Sequence, residues 1–373
     1  MVHNILYYIV KEILERTLIR MLICCVIALL FCITGNAKVP YIPKIINYSV
    51  SDYKAGNQNW AVAQGPGGKM YIGNNRGLLA FDGIHWDLVK LPNNLGVRAL
   101  YISKEGRIYV GSFEEFGYFE VDDENDLIYH SLSSSEINVY LNNDEFWTIN
   151  EYKGEIYFQS FGSFFIYDGE KVRKGVSDLP PLYIFTLDDH LYVQFMEGGS
   201  FCRMDDGQFT ELLSKKVLED DVVSVLPFDH QLLLVSARSG CFIYDEVRKK
   251  LSVWNTPANE ILKEGIANRG VMMKDSTFIV GTISNGVVAI NKQGETLWHI
   301  NRENGLINNT VLRVFADNSD NLWVTLDNGI AQIHVNSPIY FYEPLEAQIG
   351  MVHDMVIEKD IIYLATNQGL YAL

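Results

Sequence analysis

Cysteine is scarce in this 373-residue chain: of five, Cys24, Cys25 and Cys32 fall in one N-terminal apolar stretch. Only Cys202 and Cys241 remain for the body, too few for a disulfide-stapled scaffold, and no CxxC spacing offers zinc or dithiol chemistry. Export would permit a bridge between these two, but their different offsets within consecutive sequence units argue against it. Positive charge is also in short supply. Lys and Arg number 30 against 46 Asp and Glu, a formal charge of −16, and no basic run exceeds Arg248-Lys249-Lys250. Direct contact with nucleic acid is therefore not expected. Helical periodicity is nearly absent, and only 258–262, just after Pro257, reads as a short turn of helix. The eight histidines show no HxH or HExxH spacing, and no G-x-S-x-G or Walker phrase occurs. No metal or cofactor is expected. With 48% hydrophobic and 20% charged residues, disorder is excluded as well.

Long apolar runs are limited to one, residues 21–33. It is shorter than the roughly 20 residues that a bilayer-spanning helix needs. Lys11, Arg16 and Arg20 precede it, and Gly35-Asn36-Ala37 places small residues where a signal peptidase reads. The pattern predicts an export signal over 1–37 cleaved after Ala37, with a retained N-terminal anchor as the alternative. Phe31 before Cys32 is too large for a lipoprotein signal. An exported soluble domain, 38–373, is expected to follow.

What is plentiful is glycine (29) and tyrosine (21), and both recur in register. One phrase, apolar-aromatic-apolar-small followed by a polar turn and Gly, appears eight times. It begins with Met70-Tyr71-Ile72-Gly73 and Ile108-Tyr109-Val110-Gly111 and ends with Leu322-Trp323-Val324-Thr325 and Ile362-Tyr363-Leu364-Ala365. In the fifth unit it is read as Leu233-Leu234-Val235-Ser236. The mean step is about 42 residues, with turn signals every 8–12, as expected of four short antiparallel strands per unit. The sequence predicts an all-β β-propeller of four-stranded blades, about eight repeats making seven or eight blades. Residues 44–50 resemble an outer strand. The ring is expected to close on that N-terminal strand, which would leave no exposed edge.

The seventh unit reads Asn304-Gly305-Leu306-Ile307-Asn308-Asn309-Thr310-Val311, then Asn321-Leu322-Trp323-Val324-Thr325 and Asn328-Gly329-Ile330. It resembles the two-component regulator propeller repeat, with its NGL-x-x-N-x-V entry and GxLWIGT-x-x-GL core. The first unit is similar, with Asn59-Trp60 at entry and Phe81-Asp82-Gly83 at the end; units two, three and six match more loosely, and four and five keep little beyond the period. The resemblance spans about Val39 to Leu373. It implies a periplasmic input domain of a membrane-anchored regulator, commonly one sensing glycan fragments. It further implies a three-tyrosine domain, a membrane helix and a helix-turn-helix output, none of which is in this sequence. Family members usually carry two seven-bladed rings, so the eighth unit would then belong to a second ring.

The recurring aromatics Tyr71, Tyr109, Tyr157, Tyr192, Trp323 and Tyr363 are expected to pack between sheets, because they recur with the fold itself. A site should break that rule. On the face holding the outer-to-inner connections and the second-to-third-strand turns, the non-repeating candidates for ligand binding are Trp60, Arg76, Arg98, Glu115, Trp147, Arg238, Arg269 and His353, beside the long insertion 131–145. Aromatic rings cover the apolar face of a sugar while amides and carboxylates orient it, and arginines can clamp an anionic group. Glu114-Glu115 and Glu219-Asp220-Asp221 are not expected to be catalytic pairs. Glycoside hydrolysis needs two carboxyls about 5–9 Å apart across one bond, whereas neighbours on a strand face opposite ways.

The sequence thus points to a periplasmic sensor binding an oligosaccharide, with occupancy favouring one blade or homodimer arrangement over another. The alternative is an exported propeller enzyme, a polysaccharide lyase or glycosidase. A ligand-free scaffold for protein partners is the third reading.

Overall fold

A computed structural model describes residues 42–122, 126–196, 199–205, 207–337, 340–341, 349–358 and 361–372. The expected signal segment lies outside the described residues. Among the described residues, no helix is long and apolar enough to cross a membrane. The chain divides into two compact units, one of them Ile42–Phe341.

That unit holds seven antiparallel sheets, numbered here as blades 1 to 7 over 59–89, 99–131, 146–174, 181–213, 222–253, 267–300 and 311–334. In blades 1 to 6 the four strands pair in chain order. The innermost strands (Asn59–Gln64, Ala99–Ile102, Phe146–Tyr152, Pro181–Leu187, Val222–Phe228, Ala267–Met272 and Val311–Ala316) touch one another in cyclic order, the seventh returning to the first. The ring therefore closes at seven. Blade 7 has three strands of its own, and Ile42–Tyr48 supplies the fourth, antiparallel to Ile330–His334 with Lys44 opposite His334 and Tyr48 opposite Ile330. The N-terminal strand closes the ring as expected, but on the seventh repeat rather than the eighth.

The repeated phrase has a direct packing cause. Second strands such as Met70–Asn74 are buried along their whole length, and each apolar cluster spans consecutive blades, for example Tyr71, Leu78 and Ala80 with Ile108, Val110 and Phe119. The recurring aromatics lie in these layers: Tyr71, Tyr109, Tyr157, Tyr192 and Trp323 are all at most 7% exposed. The small residue that ends the phrase abuts the next blade. A Cβ on Gly73 would meet Val97 at 2.9 Å, and one on Gly281 would meet Val311 at 2.4 Å. Where glutamine replaces glycine, it bonds instead of yielding space. Gln159 Nε2 donates to the Pro181 carbonyl at 3.1 Å, and Gln194 Oε1 accepts from the Val222 amide at 3.1 Å. Pairing of Ser224 with Val235 sets the fifth unit's phrase one residue earlier than the sequence suggests, at 232–235.

Among the described residues the one helix of eight residues, Ala258–Gly265, begins where Pro257 predicts and buries Leu262 beside blades 5 and 6. Cys202 and Cys241 are both free and buried. The second unit contains a three-stranded antiparallel sheet of Val352–Glu358, Ile361–Thr366 and Gly369–Ala372.

Candidate functional site

Six of the seven innermost strands begin with a β-bulge, located by register shifts at Trp60, Trp147, Leu182, Val223, Asn268 and Leu312. Blade 2 places Arg98 at the corresponding point, just before Ala99. A bulge sets an extra residue out of the pleat and re-aims its side chain. Here the bulges of blades 1 and 3 bring two tryptophans together. Trp60 and Trp147, from blades 1 and 3, meet edge-on with centroids 5.5 Å apart. Trp147 stacks on Phe161 at 5.3 Å, and Phe161 contacts Tyr183 of blade 4 at 6.3 Å. A guanidinium lies on each end of this arc: Arg98 is 4.4 Å above the Trp60 ring, and Arg269 of blade 6 is 4.1 Å above Tyr183.

The first end is held by amides and one acid. Trp60 Nε1 donates to Asn75 Oδ1 at 2.8 Å, Asn75 Nδ2 donates to Gln58 Oε1 at 2.8 Å, and Arg98 donates to both Asn75 Oδ1 and Glu145. Asn75 is in the second-to-third-strand turn of blade 1 and Glu145 ends the 131–145 insertion, so the face expected from the sequence does converge. All four aromatic rings stay partly accessible, Phe161 at 37%.

Behind the arc the channel opens into a cavity of about 370 Å³, walled by the residues that follow in all seven inner strands. At the register position after the bulge the blades carry Ala61, Ala99, Thr148, Tyr183, Ser224, Arg269 and Arg313 in turn. Polar lining comes from Gln64, Tyr101, Thr148, Asn150, Thr186 and Ser224, with Arg269 and Arg313 the charged groups; among the described residues, no Asp, Glu, His or Lys lines it. Arg269 Nη1 donates to the Val223 and Asn268 carbonyls at 3.3 and 3.2 Å. Arg313 lines this cavity and is half-buried. Burial and the nearby Arg269 press its pKa down to about 10, so it remains a cation at neutral pH.

The sequence candidates thus separate. Trp60, Arg98, Trp147 and Arg269 come together. Arg76 and Arg238 are exposed in turns of blades 1 and 5, where their backbone amides are bonded by Asn74 Oδ1 and Asp220 Oδ2. Glu115 accepts from Tyr129 and Ser131, each at 2.7 Å, and so ties its own blade together. His353 is in the second unit, on Val352–Glu358. The acidic runs serve turns: Glu114 Oε1 accepts from the Asn143 amide, and Asp220 accepts from the amides of Asp221, Arg238 and Ser239. Among the described residues, no cluster of three His, Cys, Asp or Glu could hold a metal. Phe161, Tyr183 and Arg313 belong to the site and were not singled out from the sequence.

No protein-family model matches the chain, and no curated protein matches it. Solved structures do. The extracellular domain of the putative hybrid two component system BT4673 from B. thetaiotaomicron aligns over 88% of this chain and 45% of its own, with 17% identity and a TM-score of 0.64. That of the putative hybrid two component system BT3049 from the same organism aligns over 90% and 48%, with 13% identity and a TM-score of 0.64. Virginiamycin B lyase from Staphylococcus aureus aligns over 78% and 98%, with 13% identity and a TM-score of 0.60. At these identities the likeness establishes the β-propeller fold. The chain spans about half the length of the two extracellular domains.

Proposed function

We propose that this chain is the exported, periplasmic sensing domain of a two-component-type regulator, and that it binds an oligosaccharide across the mouth of the seven-bladed channel. The observation that carries this reading is the arc Trp60–Trp147–Phe161–Tyr183, four accessible rings joined across blades 1, 3 and 4 and ended by two guanidinium groups. Rings in such a row match the apolar faces of successive sugar units, and Asn75, Gln58 and Glu145 are placed to orient hydroxyls.

The likeness to extracellular domains of two-component systems and the motif of the seventh unit support the sensing role. In this reading the second unit's sheet is a blade of a second ring. It exposes Met355, Val356, Ile357 and Leu370, surface that a propeller blade covers with its neighbours. Membrane and output domains lie in further chain, and ligand acts by favouring one arrangement of the assembly over another.

The test is thermal-shift screening of the exported protein against acidic and neutral oligosaccharides, with the saccharide analysed afterwards. A ligand at about 100 times its Kd adds ~2.7 kcal/mol, a shift of several degrees. The expected result is such a shift with the saccharide recovered intact, and at least a tenfold loss of affinity in Trp147→Ala. Consumption of the saccharide would establish the lyase or glycosidase reading instead, and no shift with any saccharide would overturn sugar binding.

A further inference from the structure

Two guanidinium groups sit at equivalent register positions of adjacent blades 6 and 7, and both line one cavity. Neither has a counter-ion among the described residues. Arg269 is satisfied only by backbone carbonyls and the Tyr183 ring. Arg313 makes no hydrogen bond or ion pair with any described residue, and the cavity wall supplies no carboxylate. Like charges held close together repel, and a half-buried cation without a partner carries a desolvation penalty. The cavity wall around them is not itself basic: the corresponding positions in blades 1 and 5 are Ala61 and Ser224. The missing negative charge therefore has a shaped place to go.

We propose that the throat of the channel is an oxyanion subsite, in which Arg313 and Arg269 together hold a carboxylate or sulfate group. A guanidinium presents paired donors that match either oxyanion bidentately. Of the hydroxyls beside them, Thr148 donates to Gln159 Oε1 at 2.9 Å and Ser224 Oγ accepts from the Gly270 amide at 2.6 Å, so the two guanidinium groups are the cavity's charged donors. Resting on the sugar-binding reading above, the natural carrier is an acidic saccharide whose rings lie on the aromatic arc while its anionic group enters the throat. A free inorganic oxyanion is the other source of the same chemistry. Burial lowers the Arg313 pKa, yet leaves the side chain charged at neutral pH, as such a site requires.

The probes are sulfate, exchanged against chloride at constant ionic strength, tetragalacturonate, and the neutral cellotetraose, each followed by thermal shift and calorimetry on the exported protein. Wild type is expected to bind sulfate, and Arg313→Gln and Arg269→Gln each to weaken it at least tenfold. Arg76→Gln, an exposed arginine on the same face, controls for surface charge and should leave sulfate binding unchanged. Without added anion, Arg313→Gln should melt at or above the wild-type temperature. Equal sulfate shifts in wild type and Arg313→Gln would overturn the proposal, and so would a lowered melting temperature of both Arg313→Gln and Arg313→Met, which would mark the arginine as a structural prop. Tetragalacturonate binding lost in both Trp147→Ala and Arg313→Gln supports the acidic-saccharide carrier. Saccharide binding that needs Trp147 and ignores Arg313 leaves the sensing role standing and removes the anion subsite. Sulfate binding with no response to either saccharide supports the subsite as one for a free oxyanion and removes the sugar reading.

Discussion

Cys241 is fully buried between blades 5 and 6, with its amide bonded to Asn259 Oδ1, and burial pushes its thiol up to about 12. Cys202 is buried in blade 4 and is also raised. A thiol pKa raised on folding means that the native state holds the proton more tightly than the unfolded chain. The stability this represents is whole below the ordinary thiol value near 9 and declines as pH rises from there toward 12. Cys241 should therefore resist an aromatic disulfide reagent in the native protein at pH 8 and react at once in guanidinium, as mass-resolved labelling would show; rapid native labelling would contradict the buried placement. The same scale explains what was legible in the sequence. Trp60, Trp147, Arg98 and Arg269 stood out because they interrupt an otherwise apolar or small position. Arg313 follows Val311 inside the unit that matches the repeat motif best, so it passed as part of the pattern. Tyr183 looked like an ordinary strand tyrosine. Both become visible only when residues after the bulge are compared across blades, and the bulge itself leaves no signature in composition. For Arg76, Glu115 and Arg238, the sequence could locate a turn but could not say whether the side chain leaves it.

The blade as an element depends on a sharp return from second to third strand, and Gly77 shows why. Its φ of +138° is closed to side chains, and a Cβ there would stand 2.4 Å from the Val89 carbonyl oxygen of the outer strand. Gly77→Ala must therefore strain the turn and push the outer strand of blade 1 away. We expect a loss of about 2–4 kcal/mol in denaturant unfolding, with Gly83→Ala, where a Cβ has open space, costing less despite its own positive φ. Equal effects would mean that backbone conformation alone, and not contact with the outer strand, fixes the glycine. These turns made the repeat readable, since Gly77 and Gly329 each stand six residues after a buried aromatic, Tyr71 and Trp323. Where the aromatic is missing the reading slips. The fifth unit presents four apolar residues, Leu232 to Val235, with leucine in the aromatic slot, and period-two alternation cannot fix a register when every position is buried. Backbone pairing with Ser224 decides it.

At the scale of the whole ring, one short strand carries closure. Ile42–Tyr48 pairs with a strand more than 280 residues away and covers the otherwise open edge of Ile330–His334, where Ile330, Ala331 and Ile333 are fully buried. Tyr48 continues the seam into blade 1, its ring 5.3 Å from both Phe81 and Trp86 and 6.0 Å from Trp323. Asn47 donates to the Gly305 carbonyl, in the connection between blades 6 and 7, at 2.8 Å, and Asn59 Nδ2 of blade 1 donates to the Gly329 carbonyl of blade 7 at 2.9 Å. Cleavage after Ala37, as the N-terminal sequence predicts, would leave this strand intact. Deleting 42–48 would expose an apolar strand edge, a template for pairing between molecules. It would also free blade 7 from blade 1, so that Arg313 no longer belongs to a closed channel. The deletion should therefore give a protein that self-associates on size exclusion, unfolds over a broader denaturant range than wild type, and no longer distinguishes sulfate from chloride. Tyr48→Ala, which spares the strand's backbone pairing, should cost roughly 2–4 kcal/mol through the lost ring contacts while leaving the wild-type elution position and the anion response in place. If the deleted protein kept a sharp transition and its sulfate response, the seven sheets would have to close through side-chain packing between blades 7 and 1 alone, and the N-terminal strand would be an edge cover rather than the clasp of the ring.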